Sequence, residues 1–165
     1  REAITRLVHI GALTRVSGRS MGVPKLSTSE LLQLKNVRQE IECIALNWAI
    51  QHSTPAFIAE LDELLERLLV AEKKQNNQKF KSVNFQFHFC IYAQSEADIL
   101  VNIIKNLWLR ITPYFHLLDA KGHLKISNEI HLDLVDRIKK KDTDDAQRLL
   151  KLVIERAFTQ LTKVA

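Results

Sequence analysis

Cysteine is scarce in this 165-residue chain: only Cys43 and Cys90 occur, far apart and outside any CxxC. A disulfide framework and a zinc knuckle are both disfavoured, and a reducing cytosol fits this usage, so the protein is expected in the cytoplasm. No apolar run approaches the roughly 18 residues that a membrane-spanning helix needs, so no membrane partner is expected. The opening REAITRLVHI also lacks the apolar stretch of a secretory leader. Missing as well are HExxH, GxSxG, a P-loop and GxGxxG, and no Glu-x-x-His pairs occur of the kind a di-iron bundle uses. His88 and Cys90 stand two residues apart, so on one helix they project in different directions and make a poor nucleophile and base. Cys90 reads instead as a small core hydrophobe. These absences point away from an enzyme. Methionine occurs once, as Met21, and residue 1 is arginine, so the chain reads as cut from something longer.

What is present is enough for a real core: 46% of residues are hydrophobic and 26% charged, which suits one domain with a fragment of a second. The net charge of +5 is unevenly placed. Residues 1–26 carry five basic side chains (Arg1, Arg6, Arg15, Arg19, Lys25) against Glu2 alone, while the remainder carries 19 basic and 18 acidic ones. Gly11, Gly18 and Gly22, three of the four glycines, sit in that same short piece. Such asymmetry suits a polyanion contact at one end and equally a solvated basic terminus.

From residue 28 onward apolar residues recur at helical spacing behind helix-start signals. Ser27, Thr28 or Ser29 caps a first helix with the stripe Leu34, Val37, Ile41, Ile44, Ala45 and Trp48. Thr54-Pro55 opens a second, carrying Phe57, Leu61, Leu64, Leu65 and Leu68, with proline at its favoured first position. A third follows the polar EKKQNNQK with Phe80, Val83, Phe87 and Ile91 on one face. Ser95-Glu96 opens a fourth, which Pro113 kinks or stops. Ser127 caps a fifth after the loop at Gly122, and Asp142 starts a sixth through Ala146, Leu149, Val153, Ala157 and Leu161. Six amphipathic helices on short loops predict an all-α fold, an antiparallel six-helix bundle. Trp48 and Trp108 are expected in its core. Phe85, Phe89 and Tyr92 fall on the other side of the third helix and are candidates for a second buried surface such as a dimer contact.

The first 26 residues follow a different pattern. Ile4, Leu7 and Val8 share one side of a helix that Gly11 ends, and ALTRV, SGRS and MGVP read as strand, glycine turn and strand. A helix followed by a basic hairpin is the second half of a winged helix, in which the helix enters the major groove and the wing reaches backbone or minor groove. Arg1 and Thr5 on the helix and Arg15 and Arg19 on the wing are the candidate DNA-binding residues. The two wing arginines suit salt-sensitive phosphate contacts. A plain helix and hairpin leading into the bundle fits the spacing as well.

REAITRL, GALTRVSGRSMGV, VRQEIECIAL, NFQFH and HLDLVDRIKKKD stand in this order along the chain. Together they resemble GntR-family transcription regulators of the FadR subgroup, in which a winged helix precedes an all-helical ligand-sensing domain called FCD. The resemblance implies a partial winged helix over residues 1–26 and a ligand-sensing and dimerisation domain over 27–165. It implies a ligand-responsive regulator that binds a DNA operator as a homodimer and senses a small carboxylate effector. In the family, a divalent metal is held by an aspartate, a histidine four residues on and two later histidines, and arginines assist. The matching positions here are Asn84, His88, His131 and Val153. Asn84 and His88, four apart, share a helix face. The neutral amide and the missing fourth donor at Val153 weaken any zinc or nickel site, although His116 or His123 could offer a replacement. Arg38 and Arg110 are the arginines that could clamp the acid, and Arg38 could alternatively pair with Glu42 one turn on. Asn84, His88 and His131 stand both as ligand-binding and as metal candidates. A ligand-free helical dimerisation or interaction module remains the alternative.

Overall fold

Seven α-helices and one hairpin follow one another in the described residues of the computed structural model, which are 1–18, 20–118 and 123–161. Helix α1 (Glu2–His9) leads into β1 (Thr14–Ser17) and β2 (Ser20–Gly22). Gly11 ends α1 at φ +74°, where a β-carbon would be strained. The chain reverses there through Gly11 N–H to Val8 O and Ala12 N–H to Leu7 O, at 3.0 and 2.9 Å. The strands pair antiparallel, with Thr14 opposite Gly22 and Arg15 opposite Met21. A β-carbon on Gly22 would lie 2.6 Å from Val16 Cγ2, so a larger residue there would require the exposed Val16 side chain to move. A helix and a basic hairpin thus stand where the sequence places them. Arg19 lies outside the described residues.

The bundle comprises α2 (Thr28–Gln51), α3 (Pro55–Lys73), α4 (Asn77–Ala93), α5 (Asp98–Ile111), a 3-10 helix (Thr112–Leu118), α6 (His123–Lys139) and α7 (Thr143–Leu161). Local chemistry sets several of these boundaries. Ser27 and Glu30 form a reciprocal capping box at the start of α2. Thr54 caps α3 ahead of Pro55, and Asn76 caps α4. Asp142 Oδ1 accepts from Asp145 N–H at the head of α7. Pro113, with no N–H to give, coincides with the change from α5 to the tighter 3-10 helix. Packing of α3 on α4, and of α7 on both α2 and α6, encloses one core that includes Leu31, Leu61, Phe87, Ile104, Leu134 and Phe158. None of the helices searched among the described residues is long and apolar enough to cross a membrane.

Several expectations need correction. On α2 the buried face is Leu31, Leu34, Arg38, Glu42, Ala45, Leu46 and Ala49, whereas Val37, Ile44 and Trp48 are exposed, Trp48 by 40%. The inward face is thus rotated toward two charged residues because distant partners satisfy them. Ser95 does not open α5; its hydroxyl turns back to Tyr92 O at 2.6 Å, Glu96 takes a positive φ, and the helix starts at Asp98. Nor does Ser127 cap the fifth bundle helix, since α6 already runs from His123. Tyr92 is fully buried in the core rather than on a second surface, leaving Phe89 half-buried and Phe85 exposed.

Candidate ligand-binding site

A cavity opens between α4, α5, the 3-10 helix, α6 and α7, with Arg38 of α2 at its wall. Its volume is about 60 Å³, more than a single water molecule needs. Hydrocarbon dominates the lining, through Phe80, Phe115, Ile130, Val153, Ile154 and Ala157. Polar groups reach it from Asn84, His88, Trp108, Ser127 and three cations, Arg38, Lys81 and Arg156; among the described residues no acidic side chain lines it. The three cations differ in setting: Arg38 is buried, Lys81 half-buried and Arg156 exposed.

Behind the wall lies a buried polar network built on Glu42, which is fully buried. Arg38 Nε donates to Glu42 Oε1 at 2.5 Å and Arg38 Nη2 to Oε2 at 3.3 Å. Trp108 Nε1–H donates to Oε1 at 3.0 Å, and the Tyr92 hydroxyl donates to Oε2. Four donors on one carboxylate are what a buried charge requires; removing one partner of such a pair strands the other. The Arg38 guanidinium also lies over the Trp108 ring, 4.5 Å from its centroid. Burial and the neighbouring Glu42 push the Tyr92 hydroxyl well above its ordinary pKa.

The network determines the state of His88. Its Nδ1 is 3.3 Å from the Tyr92 hydroxyl. Because the Tyr92 proton is directed at Glu42, Nδ1 carries a proton and donates it, which leaves Nε2 as an acceptor. Burial, then His131 and Arg38, hold the His88 pKa well below its usual value, so the imidazole is neutral. His131 is fully buried beside it, with ring centroids 5.3 Å apart, and packs on Phe87 at 4.7 Å.

Of the predicted site residues, the structure brings Arg38, Asn84 and His88 onto one cavity wall. His131 belongs to the core behind that wall rather than to the lining. Arg110 needs correction: Trp108, two residues earlier on α5, takes the cavity side, and the Arg110 guanidinium packs at Gly11, with Nε 3.5 Å from where a β-carbon would stand. Sequence reasoning missed Lys81, Phe115 and Arg156, whereas the Arg38–Glu42 pair it offered as an alternative is formed, and it is buried. The four-residue spacing of Arg38 and Glu42 was the one local sign of that pair.

Among the described residues the donor set does not make up a metal site. Two imidazoles and a neutral amide provide no anionic ligand, Val153 presents only hydrocarbon, and the nearby carboxylate of Glu42 is engaged by Arg38, Tyr92 and Trp108. Among the described residues no three His, Cys, Asp or Glu side chains are grouped to hold an ion. The side chains of His116 and His123 lie outside the described ones. On the helix and hairpin, Arg1, Thr5 and Arg15 are all exposed, and Thr5 Oγ1 bonds to Arg1 O at 3.2 Å.

A bundle of six helices around a cavity, with a helix and hairpin ahead of it, is the arrangement of one known class. Residues 33–156 match the FCD domain, and the chain belongs to the FCD-domain family. It is 33% identical over 159 residues to the HTH-type transcriptional regulator McbR of Escherichia coli, spanning 94% of this chain and 72% of McbR. The solved structure of McbR superposes with a TM-score of 0.92 at 31% identity, over 99% of this chain and 78% of that one. The Nta operon transcriptional regulator of Aminobacter aminovorans is 25% identical over 165 residues, covering 99% of this chain and 77% of the relative. A shared fold alone connects it to the FCD domain of TM0439, solved metal-free and Zn2+-bound, with TM-scores of 0.72 and 0.68 and identities of 19% and 18%. Each of those two covers 85% of this chain and 96% of its own.

Proposed function

We propose that this chain is the sensing and dimerising part of a cytoplasmic GntR-family transcription regulator of the FadR subgroup, not an enzyme, preceded over residues 1–26 by the end of its winged helix. The helical domain, residues 27–165, admits a small organic acid. The observation that carries this reading is the cavity, apolar in its body and lined, among the described residues, by three cations and no acidic group. Arg38 is already neutralised by Glu42. Lys81 and Arg156, which line the cavity with it, are the cations that meet a guest's carboxylate, while Asn84 and the acceptor nitrogen of His88 orient its polar groups. No resident metal takes part. The DNA operator is met by Arg1, Thr5, Arg15 and Arg19 in the intact regulator. A homodimer on a two-fold operator follows from the usual symmetry of such readers. Exposed apolar stripes on two helices in contact, Val37, Ile44 and Trp48 on α2 with Ile99 and Ile103 on α5, support such self-association.

Thermal unfolding with a panel of acids (acetate, pyruvate, benzoate, octanoate, citrate) tests the sensor. At least one acid raises the melting temperature by several degrees at concentrations far above its dissociation constant. The double variant Lys81→Gln, Arg156→Gln abolishes the rise, and added zinc or nickel chloride leaves the midpoint unchanged. A panel with no effect, or a rise that survives the double variant, overturns the assignment.

A further inference from the structure

The 3-10 helix Thr112–Leu118 has the cavity on one side and the chain's joint on the other. In such a helix successive side chains diverge by about 120°, so neighbours in sequence face different surroundings. Phe115 lines the cavity and packs edge-on against Trp108, ring centroids 5.7 Å apart. Tyr114, its immediate neighbour, is absent from the lining. Its hydroxyl donates to Pro24 O and accepts from Leu26 N–H at 2.9 Å. Those two backbone groups belong to the link between β2 and α2, the stretch that joins the hairpin to the bundle. One phenol therefore satisfies a carbonyl and an amide of that link, and the residue beside it forms part of the cavity wall.

The segment is also coupled to both neighbours by its root. Thr112 Oγ1 donates to Trp108 O at 2.7 Å, continuing α5 into the 3-10 helix. Trp108 lines the cavity and binds Glu42, and Arg110, one half-turn on, packs at Gly11 where α1 ends. Packed interiors respond to an added group by stepping between arrangements, because they cannot deform continuously.

We infer that Tyr114 and Phe115 form the transmission element of the sensor. A guest in the cavity displaces the Phe115 ring, the 3-10 helix shifts with it, and the Tyr114 hydroxyl alters its hold on Pro24 and Leu26. The position of the helix and hairpin relative to the bundle changes as a result. This rests on the reading that the cavity admits a guest. It adds the route by which occupancy reaches the DNA-facing end, and it names Tyr114, a residue outside the cavity, as a positioning residue. Linkage makes the effect reciprocal: loosening the joint changes the cavity's preference for its guest by the same factor.

Hydrogen exchange at single amides of the full chain tests the element without an effector. Ala157 lines the cavity, and Ala157→Leu fills it with a side chain in place of a guest. Tyr114→Phe accelerates exchange of the Leu26 amide at least tenfold and leaves amides in the middle of α3 unchanged. Ala157→Leu changes Leu26 exchange threefold or more when Tyr114 is present, and not at all in the Tyr114→Phe background. The proposal is overturned if Leu26 keeps its protection in Tyr114→Phe. It is equally overturned if Ala157→Leu has no effect on Leu26, or the same effect in both backgrounds. Should Ala157→Leu lose its helical circular dichroism, Phe115→Leu takes its place in the same two-background comparison. Failure of every acid in the thermal panel would remove the small-acid reading and leave this result standing; the converse outcome would remove the transmission element alone.

Discussion

The helix and hairpin of residues 2–22 and the bundle behind them are held by different forces. In α1 no residue is buried, Ile4 and Val8 are exposed, and β1 is exposed throughout. Local backbone bonds and glycine geometry define this piece. The bundle instead buries one continuous core and encloses Arg38, Glu42, His88 and His131 within it. An element with little buried surface is located by its joint rather than by its packing. Small changes at residues 11–26 are therefore expected to swing the front piece while the core stays as it is.

The largest break in this contrast comes from Glu42→Ala, which leaves the buried Arg38 guanidinium without its carboxylate. Urea unfolding of the bundle should show a loss of about 3–5 kcal/mol. Acid comes next. His88 titrates in the folded protein well below 6.5, its ordinary value, with His131, Arg38 and Tyr92 around it. Below pH 6.5 the unfolded chain takes up a proton there that the folded chain refuses, so stability falls as pH falls. For this one group the slope approaches about 1.4 kcal/mol per pH unit, and His88→Asn should flatten it in a series of urea curves. At the joint, Ser27→Ala removes half of the capping box and should cost about 1 kcal/mol. The smallest effect belongs to the front piece: Arg15→Ala should change stability by less than about 0.5 kcal/mol. In the intact regulator that variant should weaken DNA binding across all sequences and lower the salt slope by about one.

Helix starts were legible where a side chain closes onto its own helix, as at Ser27, Thr54 and Asp142. They were misread at Ser95, whose hydroxyl ends the preceding helix, and at Ser127, which lies inside α6. The inward face of α2 was the larger miss. Apolar periodicity favoured Val37, Ile44 and Trp48, whereas the burial of Arg38 and Glu42 depends on Tyr92 and Trp108, 50 and 66 residues from Glu42. No local pattern announces partners at that distance. Asn84, His88 and Arg38 could be located through the family resemblance, and all three line the cavity. Lys81 and Arg156 could not, because a cation at a cavity rim has the same sequence signature as any solvated one.

Helix α2 gives the charged network a mechanical meaning. With 24 residues it is a rod about 36 Å long, and Glu42 lies about 22 Å from Ser27 along it. If the grip at Glu42 serves as a fulcrum, a tilt of about 5° there carries the Ser27 end through about 2 Å. That is comparable to the reach of one hydrogen bond, so a sub-ångström adjustment near the fulcrum arrives at the joint as a displacement large enough to make or break a contact.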